Sequence, residues 1–367
     1  MPKSCKVALV HDWLTGMRGG EKVLEVFCEM FPHADLFTLL HVPGSVSGKI
    51  ENRRVRTSFL QNIPGIGKNY RYFLPLMPRA VESFDLSSYD LVISTSHCVA
   101  KGAVPGAKAV HVCYCHTPMR YIWDQFDFYF GPEKSGAVTR WIMKALRPSL
   151  QKWDVESSKR VNHFIANSGY VSKRIQTFYE RKAEVIYPYA DTDFYLPGES
   201  PIQGDFYLIV SALAPYKRLE LAVEAFNRSG KNLKIIGSGP TLASLKEKAK
   251  PNVEFLGWRS NEEIRDHYRA CRALIFPGTE DFGIVPLEAM ASGRPVIAYG
   301  EGGALETVKE NISGVFFRKP SAESILEAIA RADLMSWDAE KIRAQALNFS
   351  RENFVSKLKD FFDKISS

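Results

Sequence analysis

The chain alternates short apolar strands with amphipathic helices in two separate runs, and few folds accommodate that pattern twice. In the first run, residues 6–10 read as a buried strand and 21–31 as a helix with Leu24, Phe27 and Phe31 on one stripe. Strands follow over 91–94, 109–115 and 164–167. Residues 187–204 then carry three prolines, two glycines and little periodicity, the signature of a linker. Beyond them the pattern restarts, with strands over 207–212, 233–236, 253–256, 273–276 and 295–299. Helices fall between them over 219–227, 261–270 and 285–291. Alternation of this kind predicts parallel sheets with helices on both faces. A length of 367 residues also exceeds what one core usually supports. The expectation is an α/β chain of two doubly wound domains, over 1–190 and 191–350. A last helix over 351–367 packs back on the first. Ligands of such folds bind at the carboxyl ends of the strands, here in an interdomain cleft.

No apolar run approaches the roughly 18 residues of a membrane span. The apolar stretch 7–10 is too short for a signal-peptide core, which predicts a cytoplasmic protein. The six cysteines, Cys5, Cys28, Cys98, Cys113, Cys115 and Cys271, form no C-x-x-C pair, so buried reduced thiols are expected and no metal site. Charge is uneven. Residues 1–190 hold 25 Lys and Arg against 16 Asp and Glu, a net +9, while the remainder is −2. No nucleic-acid-binding motif accompanies the basic half, so that class of partner is disfavoured.

The densest chemistry lies in Gly278-Thr-Glu-Asp-Phe-Gly-Ile-Val-Pro-Leu-Glu288-Ala-Met-Ala-Ser-Gly293, which follows a strand and opens a helix. Pro286 suits the first helical turn, and Gly293 with Pro295 ends the helix. The amides of Gly283, Ile284 and Val285 are then donors without intrahelical partners, a natural anion site. Glu280 falls in the loop and Glu288 in the first helical turn, one carboxylate on either side of the anion nest. A carboxylate accepts two hydrogen bonds and suits vicinal sugar hydroxyls. A solvated loop residue and a helix-dipole partner would explain each glutamate taken singly.

The segment resembles the E-x7-E motif of retaining glycosyltransferases of the large GT-B family 4, and the likeness extends over nearly the whole chain. It is nearest to bacterial mannosyltransferases of O-antigen and exopolysaccharide assembly. The resemblance implies two facing Rossmann-like domains and transfer from a nucleotide sugar without a metal or resident cofactor. It places Glu288 on the nucleotide ribose and Glu280 by the donor sugar, with Phe282, Gly283, Ile284 and Val285 holding sugar and diphosphate. GDP-mannose is the expected donor, from subfamily resemblance alone.

After the first strand of the second domain comes Ser211-Ala-Leu-Ala-Pro-Tyr-Lys217-Arg218-Leu. Cations at a helix start oppose its dipole, which points to a compensating anion. A departing diphosphate would supply it. The family pattern begins Gly-Arg-Leu here. Lys217 matches the later lysine, but the arginine position is Ala212, so one cation is missing and Arg218 is the candidate to replace it. Gly237 and Gly239 end another strand, which by itself reads as a tight turn. In the family this loop and the Gly257-Trp258-Arg259 loop lie by the nucleotide. Gly302 and Gly303 with Glu306 match a further G-G-x-x-E pattern, in which Glu306 reads as structural.

In the first domain, His11-Asp-Trp-Leu-Thr-Gly-Met-Arg-Gly19-Gly20-Glu21 joins the first strand to the first helix. It is not G-x-G-x-x-G, which disfavours a dinucleotide. The resemblance assigns Gly19 and Gly20 to a glycine loop on the donor. His97 and His116 both end strands. His116 with Arg120 and Trp123 resembles the acceptor side, His97 is the alternative nearer the sugar, and the sequence does not rank them. Residues 49–84 interleave Arg53, Arg54, Arg56, Lys68, Arg71 and Arg79 with Phe59, Tyr70, Tyr72 and Phe73. An anionic membrane surface with a lipid-linked glycan acceptor would suit them, and so would an ordinary solvated face. The rival readings are a nucleotide-sugar epimerase on the same architecture and a sugar-nucleotide-binding module without catalysis.

Overall fold

The computed structural model describes residues 5–131, 136–198 and 204–366. Residues 199–203 of the expected linker lie outside them. The chain divides into two compact units, Met1–Ile186 with Lys357–Ser367, and Tyr187–Ser356.

The first unit holds seven parallel strands: β1 Val7–His11, β2 Asp35–Thr38, β3 Val55–Thr57, β4 Leu91–Ser96, β5 Val110–Cys115, β6 His163–Ala166 and β7 Ala183–Val185. Their order is β3-β2-β1-β4-β5-β6-β7. The chain first winds outward from β1 and then returns to β1's other side, so the topological switch point lies between β1 and β4. Buried apolar residues run along β1, β4 and β5, as strands covered on both faces require. The helix Gly19–Met30 buries Val23, Leu24, Val26, Phe27 and Cys28.

The second unit repeats the arrangement with six parallel strands: β8 Tyr207–Val210, β9 Leu233–Ile236, β10 Val253–Gly257, β11 Leu274–Phe276, β12 Val296–Tyr299 and β13 Gly314–Phe317. Their order is β10-β9-β8-β11-β12-β13, with the switch point between β8 and β11. Residues 187–198 carry no helix or strand, yet they are core rather than tether. Tyr187 stacks on Phe282 at 5.7 Å between centroids, the Ala190 amide donates to Phe349, and Tyr195 is buried. Pro188 and Pro197 deny the segment a period, while its aromatic side chains still bury surface.

Candidate functional site

In the second unit, the segments singled out in the sequence converge on the switch point. β8 leads into a short 3₁₀ turn, Pro215–Lys217, and then into the helix Leu219–Ser229. Arg218 joins them in a left-handed conformation, φ +53°, which a non-glycine residue adopts at some cost. Its guanidinium lies 5.1 Å from the centre of the Tyr299 ring at the end of β12. The buried Arg218 Nη1 has no hydrogen-bond partner among the described residues. Lys217 makes direct contact through its ammonium with the Glu280 carboxylate. Gly278 allows that approach: a Cβ there would stand 3.0 Å from Lys217 Cα.

The loop after β11 is held from both sides. Glu280 forms an isolated bridge with Gly302, and its carbonyl accepts the Gly303 amide at 2.9 Å. A Cβ on Gly303 would meet Phe282 Cα at 2.3 Å, so only glycine fits. Gly283, at φ +89°, turns the chain into the eight-residue helix Ile284–Ala291. The helix starts one residue before the expected 285, so Glu288 falls in its second turn rather than its first. Glu288 is buried and accepts from Tyr268 Oη at 3.2 Å. Phe282 is buried against Tyr187 and Phe349, so its backbone alone is presented to a ligand. Glu306 accepts from Tyr187 Oη at 3.0 Å, a structural bond.

The remaining glycine loops border the same strand ends. A Cβ on Gly237 would collide with the Ser211 carbonyl, and one on Gly239 with that of Leu213. The Gly237 amide donates to Gly257 at 2.8 Å, which brings the Trp258 loop beside β9. Trp258 is 76% exposed, and Arg259 donates to its carbonyl.

The first unit gathers His11, His97 and His116 at its own switch point. Gly20 opens the helix beside two of them: a Cβ there would lie 3.6 Å from His116 Nε2 and 3.7 Å from His11 Cε1. Burial, aided by the neighbouring His97 and His11, pushes the His116 imidazole down to about 3, so it is neutral at ordinary pH. Burial also lowers His97. Asp12 opposes that shift, while His11 and Arg120 add to it. His97 retains some exposure and packs edge-on against Trp13 at 4.5 Å. Asp12, which stands in no motif, organises this site. Asp12 is fully buried, and its carboxylate accepts the amides of His97, Cys98, Val99 and Ala100 at 2.7–2.9 Å. The signal available was its place directly after β1, where acidic side chains meet loop amides.

Glu21 lies 3.7 Å from His11 Nε2 and accepts from the Arg18 amide at 3.0 Å. Burial acts to raise the Glu21 carboxyl, but the bond and charge of His11 outweigh it and hold the group below its ordinary value. Trp123 stacks on Phe178 at 4.6 Å and donates to Asp154 at 2.8 Å. Asp154 also pairs with Lys101 at 2.9 Å and accepts from Tyr179. The Trp123 indole is therefore engaged in a buried network.

Comparison with known proteins decides the family. Residues 18–194 match the model for glycosyltransferase family 4, and residues 198–348 match that for glycosyl transferases group 1. The chain belongs to the family 4 glycosyltransferases. Among the relatives of this glycosyltransferase is an O-antigen chain mannosyltransferase C of Escherichia coli, 28% identical over 42% of each chain. Another is a GDP-mannose-dependent alpha-(1-6)-phosphatidylinositol monomannoside mannosyltransferase of Mycobacterium tuberculosis. It is 29% identical over 44% of this chain and 50% of its own. The chain spans about half the length of the curated relatives it matches. The crystal structure of Anabaena HepE in complex with UDP superimposes with a TM-score of 0.70 at 17% identity, covering 98% of this chain and 100% of that one. The fold of this glycosyltransferase is GT-B.

Proposed function

We propose that the chain is a retaining hexosyltransferase that moves mannose from GDP-mannose to a glycan or lipid-linked glycan at an anionic membrane surface. The observation that carries this reading is the contact of Lys217 with Glu280 at the β8–β11 switch point, beside the helix opened by Gly283. A diphosphate there would meet Lys217, Arg218 and the amides of Gly283, Ile284 and Val285, all of which favour negative charge. Glu288 would accept from the ribose hydroxyls and Glu280 from the sugar. Gly237, Gly239, Trp258 and Arg259 would border the nucleotide.

In the transfer, the bond between the anomeric carbon and the phosphate oxygen breaks, and its electron pair leaves with the diphosphate. The acceptor hydroxyl attacks from that same face, and its proton passes to the departing phosphate oxygen. Gly19 and Gly20 would allow a ligand close approach to backbone, and His97, His116 and Arg120 would border the sugar and acceptor, with Trp123, its indole committed to Asp154, supporting that side from behind. The reading takes no resident cofactor or metal. Mannose is supported by the names of two relatives, and a nucleotide-sugar donor by the UDP bound to Anabaena HepE.

The test is to screen GDP-mannose and other nucleotide sugars for stabilisation on heating, then follow donor hydrolysis and transfer. A donor present at about 100 times its Kd stabilises by about 2.7 kcal/mol. A GDP-mannose-selective rise in melting temperature, followed by an α-linked product, is the expected outcome. Conversion of one sugar nucleotide into another intact sugar nucleotide or a free epimer, with no acceptor present, would instead reveal an epimerase.

A further inference from the structure

Residues 116–125 join β5 to the helix Phe126–Phe130 and carry His116 and Arg120, yet they contain no helix or strand of their own. Three successive residues of this loop are held from outside it. From the helix Ala137–Ser158, Arg147 and Gln151 donate to the Ile122 carbonyl at 2.8 and 2.7 Å, and Arg147 donates again to that of Trp123 at 2.8 Å. From the helix Gly169–Tyr179, Arg174 pairs with Asp124, and Phe178 stacks on the Trp123 ring. The remaining anchor is Asp154, which accepts from the Trp123 indole.

Asp154 leads on to the other strand-end loop. Lys101 lies in the 3₁₀ turn Ala100–Gly102, directly after the amides that Asp12 accepts. Its ammonium meets Asp154 Oδ1 at 2.9 Å, the Asp154 carbonyl at 2.7 Å and Ser157 Oγ at 2.6 Å, which occupies all three of its donors. Both side chains are buried, and the other Asp154 oxygen accepts from Trp123 at 2.8 Å and Tyr179 at 2.9 Å. An unbroken line of polar contacts therefore runs from Asp12 through residues 97–101 to Asp154, Trp123 and the loop of His116. Two buried charges carry a desolvation cost, and an apolar pair of similar volume commonly leaves a fold as stable. What an apolar pair lacks is direction: the ion pair and its hydrogen bonds fix the geometry between the two loops.

We infer that Lys101 and Asp154 are positioning residues for the transfer reaction: acting through Trp123, the buried pair locks the loop of His97 and the loop of His116 and Arg120 into one body. A change that loosens either loop then loosens the other, because both hold the same two charges. The inference rests on the proposed function only for the sugar and acceptor that the loops face; the lock itself needs no donor.

The experiment compares the full chain with two variants. Trp123→Phe keeps the stack on Phe178 but loses the bond to Asp154. The double variant Lys101→Met, Asp154→Asn removes both charges, while the amide oxygen still accepts from Trp123. Hydrogen exchange is read first, without sugar nucleotide. In Trp123→Phe the amides of 97–101 should exchange at least about tenfold faster, although the substitution lies in the other loop. In the double variant those of 117–125 should do the same, and the strand Leu233–Ile236 of the second unit should exchange as before in both. GDP-mannose hydrolysis is read next. Its kcat should fall by about tenfold or more in each variant, with the KM for GDP-mannose within about twofold of the parent. All three substitutions together should lose little more than either variant alone, as for groups that act as a unit. Where the double variant does not fold, Trp123→Phe decides the matter by itself. Faster exchange confined to the substituted loop overturns the inference. Faster exchange throughout residues 1–186, or an unchanged kcat, overturns it equally. Absence of hydrolysis and of thermal stabilisation by GDP-mannose in the unaltered chain would overturn the donor reading, and the exchange rates then decide the lock alone.

Discussion

The Asp12 carboxylate stands 3.1 Å from His97 Nδ1 while the same oxygen accepts the His97 amide at 2.7 Å. One side chain thereby sets both the backbone and the ring of His97. The bond favours a proton on Nδ1 and leaves Nε2 as the acceptor. Asp12→Asn replaces one accepting oxygen with a donor that opposes the loop amides. A loss of about 2–4 kcal/mol of stability is expected, read as a lower melting temperature. His97→Ala should spare the fold but lower turnover; unchanged turnover would remove His97 from the sugar side.

Two buried histidines predict an acid-sensitive fold. His111 is lowered by burial to about 4 and His116 to about 3, against an ordinary value near 6.5. Between those values the unfolded chain binds protons that the folded chain does not. Stability is therefore full above about pH 6.5 and declines as pH falls, by about 1.4 kcal/mol per pH unit for each histidine. Melting curves from pH 7 to 4.5 should show the decline. His111→Gln should flatten it, and an unaltered slope would show that His111 does not drive it.

Arg218 combines strain with a buried nitrogen that has no hydrogen-bond partner among the described residues. Arg218→Gly removes the cation and suits the positive φ, so it should melt no lower than the parent. Turnover should nevertheless fall by about tenfold or more, the scale of a lost leaving-group contact. Ala212→Arg, which restores the family cation at an exposed position, should recover part of that loss. Full turnover in Arg218→Gly would remove Arg218 from the diphosphate.

The two glutamates should separate in kinetics. Glu288 is held by Tyr268, so Glu288→Gln is expected to raise the donor KM more than it lowers kcat. Glu280→Gln removes the negative charge that faces Lys217 and should lower kcat chiefly. Equal effects on both constants in both variants would contradict the assigned roles.

Much of this was legible because period and punctuation act locally. The strand Leu233–Ile236 and the helix Asn261–Ala270 lie where the periodicity put them, and the helix after Gly283 starts within one residue of its expected place. The strands β2, β3, β7 and β13 escaped; β3 and β7 lie at the two edges of their sheet with an exposed charged residue at the centre of three, so they offer no apolar run. The engagement of Trp123 with Asp154, 31 residues away, and the stacking of Tyr187 on Phe282 are long-range choices that no local spacing records. Asp12 escaped for a related reason: the amides it accepts lie 85 to 88 residues further on.

The final helix, Arg351–Ser366, has a consequence for how the chain is made. Its last part belongs to the first unit, where Phe362 packs on Phe31 at 5.2 Å and Phe27 at 6.3 Å, and Phe361 lies against His163. On the ribosome, residues 1–186 emerge early but lack this closing piece until all of 187–356 has been translated. At about 5–20 residues per second that delay is roughly 10–35 s. During it the seats of Phe361 and Phe362 are open to water, and the nascent first unit is a natural client for a chaperone.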